Sequence, residues 1–143
     1  MQEVSVIIPN FNGMAYLDGV LAGLECQSVN NFEVILVDNG SSDGSCAFVA
    51  ARYPWVHLIE LPENFGFCKA VNEGIKASRA PYVLLLNNDI EVTENFIEEM
   101  IFAIKRHPKA FSCAARMIQF HDRDKLDDAG NYYCALGWAY ARG

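Results

Sequence analysis

The residues with the clearest chemical potential are polar side chains that directly follow four short apolar runs. They are Asn10 and Asn12, then Asp38 and Asn39, then Asn64, and finally Asn87, Asn88 and Asp89. If each apolar run is a strand of a parallel sheet, all four groups lie at the carboxyl edge of that sheet, where such sheets bind ligands. Each residue taken singly could instead cap a turn or a helix. Their repetition at one edge favours a binding crevice.

Asp89 is the candidate ligand for a metal ion. It follows the apolar run 82–86, and no basic residue shares its loop. A carboxylate in this setting suits a hard divalent cation such as Mg²⁺ or Mn²⁺, which in turn would bridge phosphate oxygens. The alternative is that Asp89 caps the segment that follows it.

The charge balance shows why a cation would be needed. The chain carries 11 Lys and Arg against 18 Asp and Glu, a formal net charge of -7. This argues against a nucleic-acid surface, because backbone binding depends on clustered basic side chains. Neither a GxGxxG nor a GxxxxGK[ST] motif occurs, so the usual NAD and ATP sites are unsupported. An acidic protein that binds a nucleotide must use backbone amides, a helix N-terminus or a metal.

Length and composition predict one soluble globular unit. The 143 residues are 52% hydrophobic, which is enough for a sizeable core. The five cysteines form no CxxC pair and are odd in number, so we expect buried or incidental thiols in a reducing compartment. No apolar run approaches the ~18 residues of a membrane span. We therefore expect a cytoplasmic chain, peripheral to the inner face of the membrane only through regions outside it.

The apolar runs alternate with helical periodicity, which is typical of an α/β fold with a parallel sheet. Strands are predicted at 4–8, ending at Pro9, and at 33–37, 56–60, 82–86 and 111–118. The fourth is the most apolar and is expected to lie centrally. Helices are predicted at 15–27 and 47–52, from the loop 64–66 through Ile75, and around 96–104 with Thr93 as N-cap. The tail 121–143 has no clear pattern.

Four blocks of sequence resemble family 2 glycosyltransferases. They are residues 4–13, residues 32–44 (FEVILVDNGSSDG), residues 64–74 (NFGFCKAVNEG) and residues 84–90 (LLLNNDI). The last block resembles the family's DxD metal motif. The resemblance implies a GT-A fold, with a Rossmann-like, mostly parallel sheet flanked by helices. It also implies a nucleotide-sugar-binding part at 1–118 and the start of an acceptor-binding region at 119–143.

The resemblance also implies roles for individual residues. Pro9, Asn10 and Asp38 would face the nucleobase, and Asn87, Asn88 and Asp89 would serve the ribose, the phosphates and the metal. The remaining members of the implied nucleotide-sugar site are Asn12, Asn39, Asn64, Gly66 and Lys69.

Two positions depart from the family pattern. Asn87 stands where the DxD motif begins with an acid, a variant similar to the rhamnosyltransferase-like branch, so Asp89 would be the single metal carboxylate. Lys69 is the basic residue nearest to the Arg of the third block. It would contact phosphate or would be an ordinary solvated lysine on a helix face.

The reaction implied is transfer of a sugar, with inversion, from a UDP- or dTDP-linked donor to a glycan or lipid-linked acceptor, as in polysaccharide biosynthesis. The family's general base lies in an acidic motif well downstream of the DxD block, and none is evident before Gly143. Asp127 and Asp128 resemble a turn. We therefore expect a piece of a longer enzyme, inactive alone.

Two alternatives come from other classes. One is a non-catalytic nucleotide-sugar-binding module. The other is a flavodoxin-like signalling domain, which is disfavoured because the Lys expected after its last strand is not evident.

Overall fold

A computed structural model describes residues 2–128, 131–135 and 139–141. The chain consists of two compact units, Met1–Glu98 and Glu99–Gly143. The boundary after Glu98 reflects how the residues pack. The predicted boundary at residue 118 concerns function, so it stays a prediction. No helix in the described ranges is long and apolar enough to cross a membrane.

The first unit is built on a parallel four-stranded sheet whose strands lie in the order β3-β2-β1-β4. The elements up to the fourth helix are β1 (Val4–Asn10), α1 (Met14–Glu25), β2 (Phe32–Asp38), α2 (Ser45–Arg52), β3 (His57–Glu60), α3 (Phe67–Ala77), β4 (Tyr82–Leu85) and α4 (Phe96–Arg106). The predicted α/β class is confirmed, and the first four strands and all four helices occur close to their predicted bounds.

The core lies along β1 and β2, whose apolar runs are buried on both faces as in helix-covered parallel sheets. Ile7 and Ile35, which are paired across the two strands, are fully buried. Helix α3 packs tightly on this surface, because a Cβ placed on Gly74 would lie 2.4 Å from Ile7 Cγ2. The absence of a side chain at Gly74 therefore lets α3 approach β1 closely.

Strand β1 continues through Pro9 to Asn10, so the predicted stop at Pro9 is wrong. Proline is tolerated where its missing N–H breaks no ladder bond. In a parallel strand alternate residues bond to opposite neighbours, and the Asn10 carbonyl bonds toward β2. The backbone nitrogen of Pro9 therefore faces the β4 side of the strand. The backbone pairing of β1 with β4 has already ended there, at Ile7 and Leu85.

Strand β4 lies at an edge of the four-stranded sheet, so its predicted central position is wrong. Val83 and Leu85 are 41% and 53% exposed. The inner strands are β1 and β2, and β1 has β2 on one side and β4 on the other. Apolar content alone did not distinguish an inner strand from one that is covered on one side.

The side chain of Gln27 joins the end of α1 to the start of α4. Its Oε1 accepts from the Ile97 backbone N–H at 2.9 Å, and its Nε2 donates to the carbonyls of Gly23 and Thr93 at 3.0 and 2.8 Å. Gln27 thus satisfies a free N–H in the first turn of α4. Thr93, the predicted N-cap, contributes its backbone carbonyl.

The second unit contains short antiparallel pairs. β5 (Met117–Ile118) pairs with β6 (Leu126–Asp128), and β7 (Asn131–Tyr133) pairs with β8 (Ala139–Ala141). Residues 111–116 are not in a strand, so most of the predicted fifth strand is wrong. Asp127 and Asp128 belong to β6 rather than to a turn, while Ala129 and Gly130 lie outside the described residues.

Candidate functional site

The strand order of the parallel sheet reverses at β1. The chain runs from β1 to β2 to β3 on one side of β1, and β4 then pairs with its other side. The switch point is therefore between β1 and β4, the place where open α/β sheets bind ligands. Hydrogen bonds among Asn10, Asp38 and Asn88 connect the ends of three strands there.

Asp38 and Asn10 form a buried polar pair at the carboxyl ends of β2 and β1. Each residue is 1% exposed. Asn10 Nδ2 donates to Asp38 Oδ1 at 2.8 Å, and the Ser41 backbone N–H donates to Asp38 Oδ2 at 2.8 Å. Both carboxylate oxygens are therefore engaged within the protein. Asp38 shapes the 38–41 loop whatever else it binds.

A cysteine thiol lies next to this pair. Burial, followed by a hydrogen bond to Asp38 and the nearby charges of Asp38 and Glu60, raises the pKa of Cys46 to about 12. Cys46 is therefore a neutral thiol near neutral pH. The described cysteines are all free; Cys46 and Cys134 are half-buried, while Cys26, Cys68 and Cys113 are exposed. These three are incidental rather than buried thiols, the second of the two expected kinds.

Asn88 and Asn10 join the loop after β4 to the end of β1. Asn88 Nδ2 donates to Asn10 Oδ1 at 2.7 Å. Gly13 lies against this bond, because a Cβ at that position would fall 2.1 Å from Asn88 Nδ2 and 2.4 Å from Asn10 Oδ1. The two amides thus occupy space that any side chain at Gly13 would fill.

The loops after β1 and β2 also bind each other through backbone amides. Asn12, which has a positive φ of 50°, accepts from the Ser42 N–H at 2.9 Å and donates its own N–H to Ser41 Oγ at 2.8 Å. Asp43 Oδ2 accepts from the Met14 N–H at 2.9 Å. This N–H at the start of α1 is therefore already bonded within the protein.

The exposed Asp43 carboxyl is held ionised by its neighbours. A hydrogen bond from the Ser45 hydroxyl, with further bonds from the amides of Met14 and Ser45, lowers the pKa of Asp43. Asp43 thus accepts hydrogen bonds from the first residues of α1 and α2 and holds both to the loop after β2.

Asn39 and Asn64 lock the loop after β2 to the loop after β3. Asn39 Nδ2 donates to Asn64 Oδ1 at 2.8 Å, and the N–H groups of Phe65 and Gly66 donate to Asn39 and Asn64 at 3.0 and 2.9 Å. Gly40, with φ of 78°, has its backbone so close to Glu63 that a Cβ would lie 2.6 Å away. The positions of both asparagines are thereby fixed.

An open cavity of about 290 Å³ lies beside these asparagines. Its lining residues are Pro9, Asn10, Phe11, Asn39, Asn64, Gly66 and Phe67. The two phenyl rings are largely solvent-exposed, at 48% for Phe11 and 58% for Phe67. Aromatic faces beside fixed amides suit a flat polar ring. Sequence reasoning missed both phenylalanines, although each stands next to a residue that it selected.

Asp89 and Asn87 are both exposed after β4. Among the described residues no group of three His, Cys, Asp or Glu side chains could hold a metal. A single carboxylate still fits Mg²⁺ or Mn²⁺ when substrate phosphates and water supply the other ligands. The donor set is therefore compatible with a cation that arrives with a phosphorylated ligand, and incompatible with a cage of protein carboxylates alone.

Lys69 lies on the exposed face of α3 and forms an ion pair. Its Nζ is 2.7 Å from Glu73 Oε1, which also lies 2.9 Å from Lys76 Nζ. Hydrogen bonds from these two ammonium groups lower the pKa of Glu73. This arrangement matches the solvated helix-face alternative, and phosphate contact by Lys69 would require it to leave Glu73.

The fold and its sequence are similar to those of known sugar transferases. Glycosyltransferase GlyG of Streptococcus pneumoniae is 29% identical over 91% of this chain and 39% of its own. A putative teichuronic acid biosynthesis glycosyltransferase, TuaG of Bacillus subtilis, is 27% identical over 87% of this chain and 50% of its own. The chain thus spans half or less of the length of these relatives.

Solved structures show the same fold. Residues 1–349 of S. aureus TarS in complex with UDP superpose with a TM-score of 0.68 at 26% identity, over 75% of this chain and 33% of that one. A Pyrobaculum calidifontis mannosyltransferase, PcManGT, solved with GDP-Man and Mn²⁺, gives 0.67 at 23% identity, over 71% and 32%. The family model described as glycosyl transferase family 2 matches residues 5–140. The parallel sheet has the predicted GT-A fold, and the chain belongs to glycosyl transferase family 2.

Proposed function

We propose that this chain binds a nucleoside-diphosphate sugar at the carboxyl edge of the sheet, across the ends of β2, β1 and β4, and forms the donor-binding part of a sugar-transferring enzyme. The observation that carries the proposal is the convergence of Asn10, Asp38 and Asn88 beside an aromatic-lined cavity. A neighbour of 26% identity, TarS, is described in complex with UDP and with UDP-GlcNAc, which supports a nucleotide-sugar ligand.

The nucleobase end of the donor fits the cavity beside Phe11 and Phe67. A base stacked on a phenyl ring buries apolar surface on both partners. Pro9 and Asn10 line the same cavity. Asp38 already accepts hydrogen bonds from Asn10, Ser41 and Cys46, but a carboxylate has about four acceptor sites. It retains the capacity to accept from a ring N–H of the base, which is the imide N3–H in UDP and dTDP and the N1–H in GDP.

The diphosphate end fits the loop after β4. Asp89 is exposed there and would hold Mg²⁺ or Mn²⁺ together with phosphate oxygens. When bound, the cation would stabilise the leaving diphosphate as a Lewis acid. Asn87 and Asn88 would contribute neutral polar groups to the ribose and phosphates. Asn87 at the first DxD position favours the rhamnosyltransferase-like branch.

Transfer to an acceptor needs a general base. We propose that the base belongs to a further segment, as in an inverting enzyme of polysaccharide synthesis that acts on glycan or lipid-linked acceptors. Residues 1–143 alone would then bind donor without transferring sugar. A radiolabelled-donor assay on soluble and lipid-linked glycans tests this expectation. Metal-dependent transfer by this chain alone would overturn it and would make Asp127 and Asp128 the first candidates for the base.

The binding proposal is tested by calorimetric titration of UDP, dTDP and GDP in Mn²⁺, in Mg²⁺ and in EDTA. We expect binding of a pyrimidine nucleoside diphosphate that is tighter with metal. Equal affinity in EDTA would remove the metal role of Asp89. Absence of binding by every nucleoside diphosphate would overturn the proposal. Binding of donor by the full-length protein without transfer to any acceptor would favour the alternative, a non-catalytic nucleotide-sugar-binding module.

A further inference from the structure

We infer that Asn88 is a positioning residue, which acts through Asn10 to set the loop carrying Asp89 relative to the loop carrying Asp38. This inference rests on the proposed function, since it concerns how the two ends of a donor are held together. It assigns to Asn88 a task that is separate from any contact with the ligand.

The first step is the fixed orientation of the Asn10 amide. A carboxylate can only accept hydrogen bonds, so the nitrogen of Asn10 must face Asp38, at 2.8 Å. The Asn10 oxygen consequently points away from Asp38. Because the pair is buried, reversing the amide would place an oxygen against a carboxylate and leave both without a donor.

The second step concerns the hydrogen bond that Asn88 donates to Asn10. The Asn10 oxygen needs a donor, and Asn88 Nδ2 supplies it at 2.7 Å. The polarity of the chain of bonds, from Asn88 to Asn10 to Asp38, is therefore set by the carboxylate. A residue at position 88 that only accepts could not take part in it.

The third step concerns the position of the hydrogen bond between Asn88 and Asn10. The pairing of β1 with β4 ends at Ile7 and Leu85, followed by one bond from the Leu86 N–H to the Ile7 carbonyl. Asn88 lies two residues beyond that bond and next to Asp89. Its side chain thus extends the connection between β1 and β4 past the end of the sheet, into the loop that carries the proposed metal ligand.

Gly13 offers an independent way to break the same bond. A methyl group there would collide with both amides, at 2.1 and 2.4 Å, while both side chains keep their chemistry. If Asn88 acts by positioning, Gly13→Ala and Asn88→Ala should have the same consequence. Their effects should also fail to add in the double variant, since residues acting through one interaction are not independent.

The test measures UDP affinity in Mn²⁺ and in EDTA for the wild type, Asn88→Ala, Gly13→Ala and the double variant. The ratio of the two affinities reports the coupling between metal and nucleotide. We expect each single variant to reduce this ratio about fivefold or more, and the double variant to reduce it no further. Asn30→Ala, the same chemical change at an exposed site in the loop before β2, is the matched control and should keep the wild-type ratio.

A second readout needs no ligand. Amide hydrogen exchange of the peptide 86–92 should be faster in both single variants and unchanged in Asn30→Ala. A wild-type ratio in Asn88→Ala, or additive losses in the double variant, would overturn the inference and leave the proposed function intact. A wild-type chain that shows no Mn²⁺ enhancement would overturn both the inference and the proposed metal role.

Discussion

The side-chain amide of Asn10 donates to the carboxylate of Asp38 across 2.8 Å, between two residues that are each 1% exposed. Asp38→Ala would leave the Asn10 amide and the Ser41 N–H without their acceptor in a buried site. We expect the free energy of unfolding to fall by about 1–3 kcal/mol and nucleotide affinity to weaken as well. Urea unfolding followed by circular dichroism measures the first effect.

Asp89→Ala is the control for that measurement, because Asp89 is exposed at the same sheet edge. Its free energy of unfolding should stay within about 0.5 kcal/mol of the wild-type value. Equal stability of Asp38→Ala and the wild type would show that the buried bonds contribute nothing net to folding.

Phe11 should contribute to nucleotide affinity more than to stability. Its ring is 48% exposed and lines the cavity beside Asn10 and Asn39. Phe11→Ala should weaken UDP binding by about 1–3 kcal/mol, the range for loss of a base–aromatic stack. Calorimetric titration provides the measurement. Tyr16→Ala, which removes an exposed aromatic ring of α1 that does not line this cavity, should bind UDP like the wild type.

Alanine at Gly74 and alanine at Gly19 should change the stability of the protein in opposite directions. The Cβ of Gly74→Ala would meet Ile7 Cγ2 at 2.4 Å, whereas around Gly19 there is nothing within 4 Å. Ile7 is fully buried and cannot move aside, so overpacking should destabilise Gly74→Ala by about 1–3 kcal/mol. Gly19→Ala should stabilise α1 by about 0.5–1 kcal/mol. Thermal unfolding measures both changes. A higher unfolding temperature for both variants would contradict the close packing of α3 on β1.

Cys46 should resist alkylation in the folded protein. Its pKa is raised from 9.0 to about 12, first by burial and then by Asp38 and Glu60. The fraction of reactive thiolate falls tenfold per pKa unit, and the greater nucleophilicity of a more basic thiolate offsets part of that loss, so at pH 8 the rate should be about tenfold or more below that of an unperturbed thiol. Mass spectrometry after iodoacetamide treatment should find exposed Cys68 modified first. In urea the two rates should become similar; equal rates in the folded state would contradict the prediction.

Much of the first unit could be predicted from sequence because its signals are local. The runs that form β1 and β2 are apolar throughout, and Leu17, Val20, Leu21 and Leu24 have the spacing of a buried helix face. The place of β4 in the sheet depends on partners far along the chain, and its apolar run did not reveal them. Residues 111–116 are rich in apolar types, yet they form no strand, and Phe111 is fully exposed.

The candidate site could be predicted as a set of residues and not as a set of bonds. Strand ends identified Asn10, Asp38 and Asn88, because parallel strands bring their carboxyl ends to one edge. The bond between Asn10 and Asn88 joins residues 78 positions apart and depends on the missing side chain of Gly13. The burial of Asp38 and the exposed rings of Phe11 and Phe67 likewise follow from packing between loops, which residue types alone do not specify.

The attachment of Gln27 to Thr93 and Ile97 has a consequence for the stretch that contains Asp89. This stretch is held at Asn88 by Asn10 and at Thr93 by Gln27, and Val92 packs against Gly23, where a Cβ would lie 3.0 Å from its Cγ2. Ordering one residue's backbone costs about 1–2 kcal/mol of conformational entropy. Asp89 and Ile90 lie between these two attachments, so part of that cost is met when the first unit folds, and a ligand that binds at Asp89 would have less backbone left to order.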